Sequence, residues 1–305
     1  VINNKKLKVY IFFVYKYFKT NMPTFNPHLA LAQKELKKNG FRLHPHQVVG
    51  LKWLINKETK RDGGILADDM GLGKTIQILS LMLALPKKVT LVVVPANLVR
   101  QWTKAIKSIC PDFNLIIHWC DSRINSRSIS KIQEGEKSIV LTSYGLVNNQ
   151  ILHSIDYNRI VCDEAHVFRN SKTKVFMNLQ KINATKKWLM TGTPIQNKIS
   201  DLLTLFSFVG IMCSSRNEDQ VKMAIKENAL RRTKEELDLE LPNIQRKIAL
   251  IKPNSTETRF YERIVSGSIA LEYEIEKILR LRQSSISTMY SAKSLEKSLG
   301  IDFSK

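Results

Sequence analysis

The chain of 305 residues reads as an α/β protein: a parallel β-sheet flanked by helices, followed by a helical C-terminal region. Three observations predict this. Short apolar runs without alternation, such as Thr90–Val94 (T-L-V-V-V), suit strands covered on both faces. Between them lie stretches whose apolar residues recur at helical spacing, and strand–helix alternation implies right-handed crossovers into a parallel sheet. Two of the runs end in chemistry-bearing residues, a Gly-Lys-Thr loop after Ile65–Ala67 and an Asp-Glu pair after Arg159–Cys162. Ligands of open α/β sheets bind at that carboxyl edge.

The elements follow in order. Leu29–Asn39 is a short polar helix stopped by Gly40. Pro45 stands near the start of a helix through Gln47, Val48, Leu51 and Leu54, and Arg61–Gly64 form a polar turn. Ile65–Ala67 is a buried strand and Lys74–Leu85 a helix. Thr90–Val94 is a strand closed by Pro95, and Asn97–Ile109 a helix with Asn97 as its N-cap. Leu115–Ile117, Ser138–Thr142, Arg159–Cys162 and Lys187–Met190 are further strands, with polar Ser122–Lys137 as a surface helix-loop excursion. After Gly210 the character changes: no strand–helix alternation is clear, and Arg231, Arg232 and Lys234 form a basic knot. Apolar residues at Ile264, Ile269, Leu271, Ile275, Ile278, Leu279 and Leu281 predict one long helix across Phe260–Arg282. The expected divisions are an N-terminal extension at 1–21, the α/β lobe at 22–210 and a helical linker at 211–305.

Charge narrows the partners. Forty-eight basic residues against 27 acidic ones give +21, an excess that commonly answers a polyanion, nucleic acid or membrane surface. A Lys-rich soluble surface is the competing reading. Cys110, Cys120, Cys162 and Cys213 form no C-x-x-C pair, so reduced thiols, no structural zinc and an intracellular setting are expected. The apolar run Val9–Tyr15, flanked by Lys5, Lys6, Lys8 and Lys16, is shorter than the roughly 20 residues of a spanning helix. No small-residue cleavage site follows it, and no membrane partner is expected. Residues 1–21 are expected to be upstream sequence read in frame, with Met22 as the natural start; an edge strand is the alternative.

Ile65–Thr75 (I-L-A-D-D-M-G-L-G-K-T) is an apolar strand running into a phosphate loop. Gly71 and Gly73 let the backbone turn its N–H groups toward phosphates. Lys74 brings a point charge for the β- and γ-phosphates, and Thr75 a hydroxyl for Mg²⁺. The strict G-x-x-x-x-G-K-[ST] pattern fails at its first position, Asp68, which leaves open a plain Gly-rich turn opening a helix. Val161–His166 (V-C-D-E-A-H) sets Asp163 as a Mg²⁺ partner and Glu164 as the group that polarises the attacking water. An Asp-Glu pair alone is usually a solvated turn; the strand before it and Lys74 upstream favour chemistry. His166 is expected to link the nucleotide site to Thr191 or Thr193.

With both motifs placed, the remaining signals form a series. Leu43–Leu54 (L-H-P-H-Q-V-V-G-L-K-W-L) resembles the adenine-reading segment of the SNF2 family within the superfamily 2 helicases, and Ala67–Thr75 resembles that family's motif I, which accounts for Asp68. Val92–Trp102 is similar to motif Ia, Val140–Val147 to motif Ib, Asp163–His166 to motif II and Leu189–Asn197 to motif III. Leu230–Lys234 and Leu279–Gln283 resemble segments just past the first lobe. The resemblance runs from Phe41 to Gln283; its wording is similar to transcription-termination and lodestar-like proteins, and to insect-virus global transactivators.

The resemblance implies a RecA-like P-loop NTPase lobe with ATP and Mg²⁺ as cofactors. Gln47 would read adenine, and Asp68, Asp69, Met70, Gly71, Leu72, Gly73, Lys74 and Thr75 would cradle phosphates. Thr75 and Asp163 would hold Mg²⁺, Glu164 would activate water, and Ala165 and His166 would complete the nucleotide site. Motif III, Thr191–Thr193, would couple hydrolysis to DNA movement, and segments Ia and Ib would touch one strand of double-stranded DNA. Without the series, Gln47 reads as an exposed helix residue, Pro95–Asn97 as a cap, and Arg231 and Arg232 as a solvated face. A second RecA-like lobe, in cis or in trans, would bring charge-stabilising arginines; no later motif carries them before Lys305. The expected activity is that of a DNA-dependent ATPase, a double-stranded DNA translocase serving chromatin or transcription in the nucleus (a host nucleus if viral). The alternatives are a strand-separating helicase and a non-enzymatic ATP- and DNA-binding half-motor; a membrane ATPase rests on Val9–Tyr15 alone.

Overall fold

The computed structural model describes residues 26–60, 63–122, 124–194, 199–214, 217–237, 254–267 and 274–285. Its strands are β1 (Gly63–Leu66), β2 (Val89–Val94), β3 (Asn114–His118), β4 (Ser138–Ser143), β5 (Tyr157–Cys162), β6 (Ala184–Met190) and β7 (Ala229–Leu230). They form one sheet in the order β3-β4-β2-β5-β6-β1-β7, and its pairings are parallel. The described helices up to Asn228 are α1 (Pro27–Lys38), α2 (Pro45–Lys60), α3 (Lys74–Ala84), α4 (Val99–Ile109), α5 (Ser126–Gln133), α6 (Gln150–His153), α7 (Lys174–Gln180), α8 (Ile199–Phe208) and α9 (Glu218–Asn228).

The continuous apolar runs are explained by two cores, one on each face. Alternate strand residues separate cleanly: Ile65, Leu91, Val93, Ile160 and Leu189 enter one core, while Leu66, Val92, Val94, Val161 and Met190 enter the other. The first core is closed by α7, α8 and α9 through Phe176, Leu179, Leu202, Phe206 and Ile225. The second is closed by α1 to α4 through Leu36, Leu51, Trp53, Ile78 and Ile106. Helix ends follow their local chemistry. Asn26 accepts from the N–H groups of His28 and Leu29 ahead of Pro27, and Gly40 leaves α1 with φ +82.

A buried charge ties α2 to the sheet. Arg159 donates from Nε to Glu58 Oε2 at 3.0 Å and from Nη2 both to Glu58 Oε1 and, at 2.9 Å, to the Leu85 carbonyl, while Trp188 Nε1 donates to Glu58 Oε2 at 2.8 Å. Both charged side chains are fully buried. Three donors on one carboxylate is the arrangement that makes burial of such a pair tolerable.

Several sequence expectations need correction. Asn97 is not the cap of α4: it lies inside a 3₁₀ turn, Ala96–Leu98, and α4 begins at Val99 behind Leu98 with no side-chain cap bond. The alternation does not stop at Gly210, because α9 and β7 return the chain to the sheet edge beside β1. A two-residue strand is too short to show a period. The single helix across Phe260–Arg282 is two helices, α10 (Ser255–Val265) and α11 (Glu274–Ser284). The first ends in a turn at Ser266–Gly267, where Gly267 has φ +76.

The chain divides into two compact units after Glu240. In the second, an Asn254–Glu257 capping box opens α10, and α11 leaves Ile275, Ile278 and Leu279 exposed at helical spacing. Among the described residues no helix is long and apolar enough to cross a membrane. Residues 1–21 with the run Val9–Tyr15, and Ile269 and Leu271, lie outside the described residues.

Candidate nucleotide site

The strand order sets β5, β6 and β1 side by side, so three separated sequence segments leave the sheet at one edge. These are Asp163–His166 after β5, Thr191–Thr193 after β6 and Asp68–Gly73 after β1. Their entry is pinned by backbone bonds: Asp163 N–H to the Val93 carbonyl at 2.9 Å and Thr191 N–H to the Leu66 carbonyl at 3.2 Å.

The loop itself needs glycine. Gly71 and Gly73 have φ of +89 and +76, where other residues are strained, and a Cβ on Gly73 would collide with Gln47 Nε2. Gly73 caps α3 without a side chain, leaving the first helix N–H groups to the loop interior. Lys74 Nζ donates to the carbonyls of Asp68 and Asp69 at 2.8 and 3.4 Å. The Leu72 carbonyl accepts from Gln47 Nε2 at 3.3 Å and Gln77 Nε2 at 3.4 Å, with His46 Nε2 at 3.2 Å. Gln47 Oε1 in turn accepts from the His44 N–H at 3.0 Å. Gln47 is 6% exposed, so it braces the loop and is no exposed helix residue. Burial pushes the His46 imidazole below its ordinary pKa, its bond to Leu72 opposes that, and the nearby Arg232 charge adds to the fall.

The basic knot is not a solvated face. Arg232 is fully buried against Asp68, with Nε to Oδ1 at 2.8 Å and Nη2 on Oδ2, and Nη2 also reaches Gln77 Oε1 at 2.7 Å. Its Nη1 donates to the His46 carbonyl. Asp68 thus turns its carboxylate inward and offers the loop only its carbonyl. Arg231 bridges two segments, donating to Asp69 Oδ1 at 3.1 Å and to the Gly192 carbonyl at 3.1 Å. Met70, exposed at the loop tip, passes close to Gly192, where a Cβ would sit 3.3 Å from Met70 Cγ.

The acids are prearranged as well. Asp163 is 6% exposed, with Oδ2 accepting from Trp102 Nε1 at 2.8 Å and Oδ1 from the Glu164 N–H at 2.9 Å. Its carbonyl accepts from the Tyr144 hydroxyl at 2.6 Å. Burial pushes the Asp163 carboxyl above its ordinary pKa, the Trp102 bond pulls it back, the Glu164 charge raises it and the Lys74 charge lowers it. Burial also keeps the Tyr144 hydroxyl protonated, hence a donor. Glu164 has φ 48 and ψ 48, a left-handed conformation that costs on the order of 1–3 kcal/mol for a non-glycine residue and clusters at functional sites. Its Oε2 lies 3.1 Å from His166 Nδ1, yet neither atom makes a hydrogen bond of good geometry, so both keep bonding capacity. Ala165 opens a 3₁₀ turn to Phe168, whose ring packs on Tyr144 and Phe208. The sequence linked His166 with Thr191 or Thr193; the contact described here is with Glu164, while Thr193 N–H donates to Thr191 Oγ1 at 3.2 Å.

Trp102, Tyr144, Gln77 and Arg232 were not read as members of this site. Each stands in a helix, a turn or a knot whose pattern gives no direction for its polar atom. The signal in principle was a polar atom on a residue otherwise committed to burial.

Residues 46–218 match the family described as SNF2-related domain. A SWI/SNF-related regulator of chromatin, subfamily A containing DEAD/H box 1 homolog, of Caenorhabditis elegans is 28% identical over 297 residues, 83% of this chain and 30% of that protein. A putative ATP-dependent helicase/translocase of Bacillus subtilis is 28% identical over 254 residues, 74% of this chain and 27% of that one. The solved SWI2/SNF2 ATPase core of Sulfolobus solfataricus in complex with double-stranded DNA has a TM-score of 0.57 at 23% identity, over 80% of this chain and 58% of that one, and carries the fold. The chain spans about a third or less of the curated relatives' lengths. The family match takes in the motif series from α2 to the start of α9, more than half of the sequence, and the chain belongs to the SNF2-related domain family.

Proposed function

We propose that this lobe binds ATP with Mg²⁺ between the Asp68–Thr75 loop and Asp163–Glu164, and hydrolyses it to drive movement along double-stranded DNA. The observation that carries the reading is the convergence of β1, β5 and β6 at one edge, with Asp163 and Glu164 already oriented there by Trp102, Tyr144 and a strained backbone. The residues fit the cofactors. The N–H groups at the start of α3 and the Lys74 ammonium suit phosphates, and Thr75 and Asp163 are the hard oxygen donors that Mg²⁺ takes. Bound there, the ion supplies neutralisation of phosphate charge.

The protein's own groups do the rest. Lys74 exchanges two carbonyl contacts for phosphate oxygens. Gln47 and His46, braced on the Leu72 carbonyl, couple the base-binding side to the loop, and Gln47 reads adenine. Glu164, with Oε2 unbonded, orients the attacking water. Arg231 passes a shift of the loop to Gly192 and the segment Thr191–Thr193. Ala96 and Asn97 in the 3₁₀ turn after Pro95, and Gly145 in the turn at Tyr144–Leu146, are exposed and offer contacts to one DNA strand. A second RecA-like lobe, in cis or in trans, supplies arginines worth ~10³ to 10⁵ in rate. The reading places the protein with chromosomal DNA and its transcription or chromatin machinery, in the nucleus where a cell has one; it gives no role to a membrane.

The test is the ATP hydrolysis rate with and without blunt double-stranded DNA. Stimulation by DNA, without release of a strand from a forked duplex, supports a translocase. Strand release points to a helicase. A rate unmoved by DNA, with ATP bound, argues for a binding half-motor.

A further inference from the structure

The segment after β7 runs along the phosphate loop as a second wall. The N–H groups of Ala67 and Asp69 donate to the carbonyls of Leu230 and Arg232 at 2.6 and 3.0 Å, extending the β1–β7 pairing past the end of the strand. Arg232 then locks Asp68, and Arg231 takes Asp69 and Gly192. Lys234, two residues on, lies over the loop tip. A Cβ placed on Gly71 would stand 3.6 Å from Lys234 Cε and 3.7 Å from Nζ. Gly71 is exposed and Lys234 half-buried, so the ammonium sits at the mouth of the loop. Lys74 reaches the same loop from within, through the Asp68 and Asp69 carbonyls. Two ammonium groups therefore bracket Asp69–Gly73. Among the described residues, the fully exposed Glu235 feels the Lys234 charge. An exposed carboxylate is a weak partner beside a desolvated phosphate.

We propose that Lys234 is a second phosphate-binding cation of the nucleotide site, contacting the terminal phosphates and biasing the site toward a nucleoside triphosphate over a diphosphate. The inference rests on the reading of this loop as the ATP site. Its physical basis is charge: a triphosphate places an additional anionic group at the loop mouth, where Lys234 adds a second cationic side chain of this lobe to Lys74.

The experiment titrates ADP and a non-hydrolysable ATP analogue, each with Mg²⁺, into the parent chain, Lys234→Met, Lys234→Arg and the distant exposed Lys60→Met. Lys234→Met should weaken analogue binding roughly tenfold and ADP binding by clearly less. Lys234→Arg should keep most of the analogue affinity, and Lys60→Met should match the parent. Parent-like analogue binding by Lys234→Met would overturn the proposal, as would equal losses for both nucleotides. A parent that binds neither nucleotide would overturn the ATP reading and this inference with it.

Discussion

The indole N–H of Trp102 donates to Oδ2 of Asp163 at 2.8 Å, across 61 residues of sequence. The bond joins α4 to the end of β5 and occupies Oδ2, while Oδ1 accepts from the Glu164 N–H. Both partners are buried.

Trp102→Phe tests that bond. Burial already raises the Asp163 pKa and the Trp102 donor holds it down, so removal of the donor moves it further up. A protonated Asp163 is a poor Mg²⁺ ligand. Mg²⁺-dependent ATP binding should therefore fail at a higher pH in the variant than in the parent, with affinity converging at alkaline pH. Binding measured across a pH series checks this; superimposable profiles would remove Trp102 from the site.

Arg232→Met leaves Asp68 buried without its partner. Breaking a buried, hydrogen-bonded pair from one side costs about 3–5 kcal/mol, and the variant should lose stability on that scale in chemical denaturation. Asp68→Asn combined with Arg232→Met should cost less than the sum of the two single changes, because each removes the other's uncompensated charge. Additive losses would mean that the two side chains do not act as a pair.

His46 gives the protein an acid-sensitive loop. Its folded pKa lies below the ordinary 6.5, so near that pH the unfolded chain binds more protons than the folded one. Stability contributed by this group therefore rises with pH through that window and is lost as pH falls below it. Asp163, raised by burial, acts in the opposite sense. The urea midpoint should drop between about pH 7.5 and about pH 5.5, and His46→Gln should shrink the drop. An unchanged pH dependence would contradict the account.

Much of the fold was legible because its signals are local and repeated. The runs Thr90–Val94 and Ser138–Thr142 are continuous because both sheet faces are covered, and Gly40 ends α1 as a left-handed residue must. The placement of Asp68–Thr75 after one strand and of Asp163–Glu164 after another was legible because apolar runs precede both, and the strand order sets the two segments at one sheet edge. What stayed hidden depends on contacts between distant residues. Ala229–Leu230 is a strand only because β1 lies beside it, and Arg232 is a strut only because Asp68 meets it 164 residues away. The break after Val265 was hidden differently: apolar spacing on both sides of Gly267 continued the helical pattern that the glycine interrupts. Asn97 had the composition of a cap, but Pro95 and a 3₁₀ turn set the entry to α4 instead.

The central claim is that the Asp68–Thr75 loop and the Asp163–Glu164 pair form one Mg²⁺·ATP site. The most direct measurement is calorimetric titration of Mg²⁺·ATP into the parent chain, Lys74→Ala and Glu164→Gln. The account predicts saturable binding by the parent, loss of it in Lys74→Ala because phosphate charge is left unpaired, and retention in Glu164→Gln, whose defect is confined to hydrolysis. Equal ATP affinity in Lys74→Ala and the parent would contradict it.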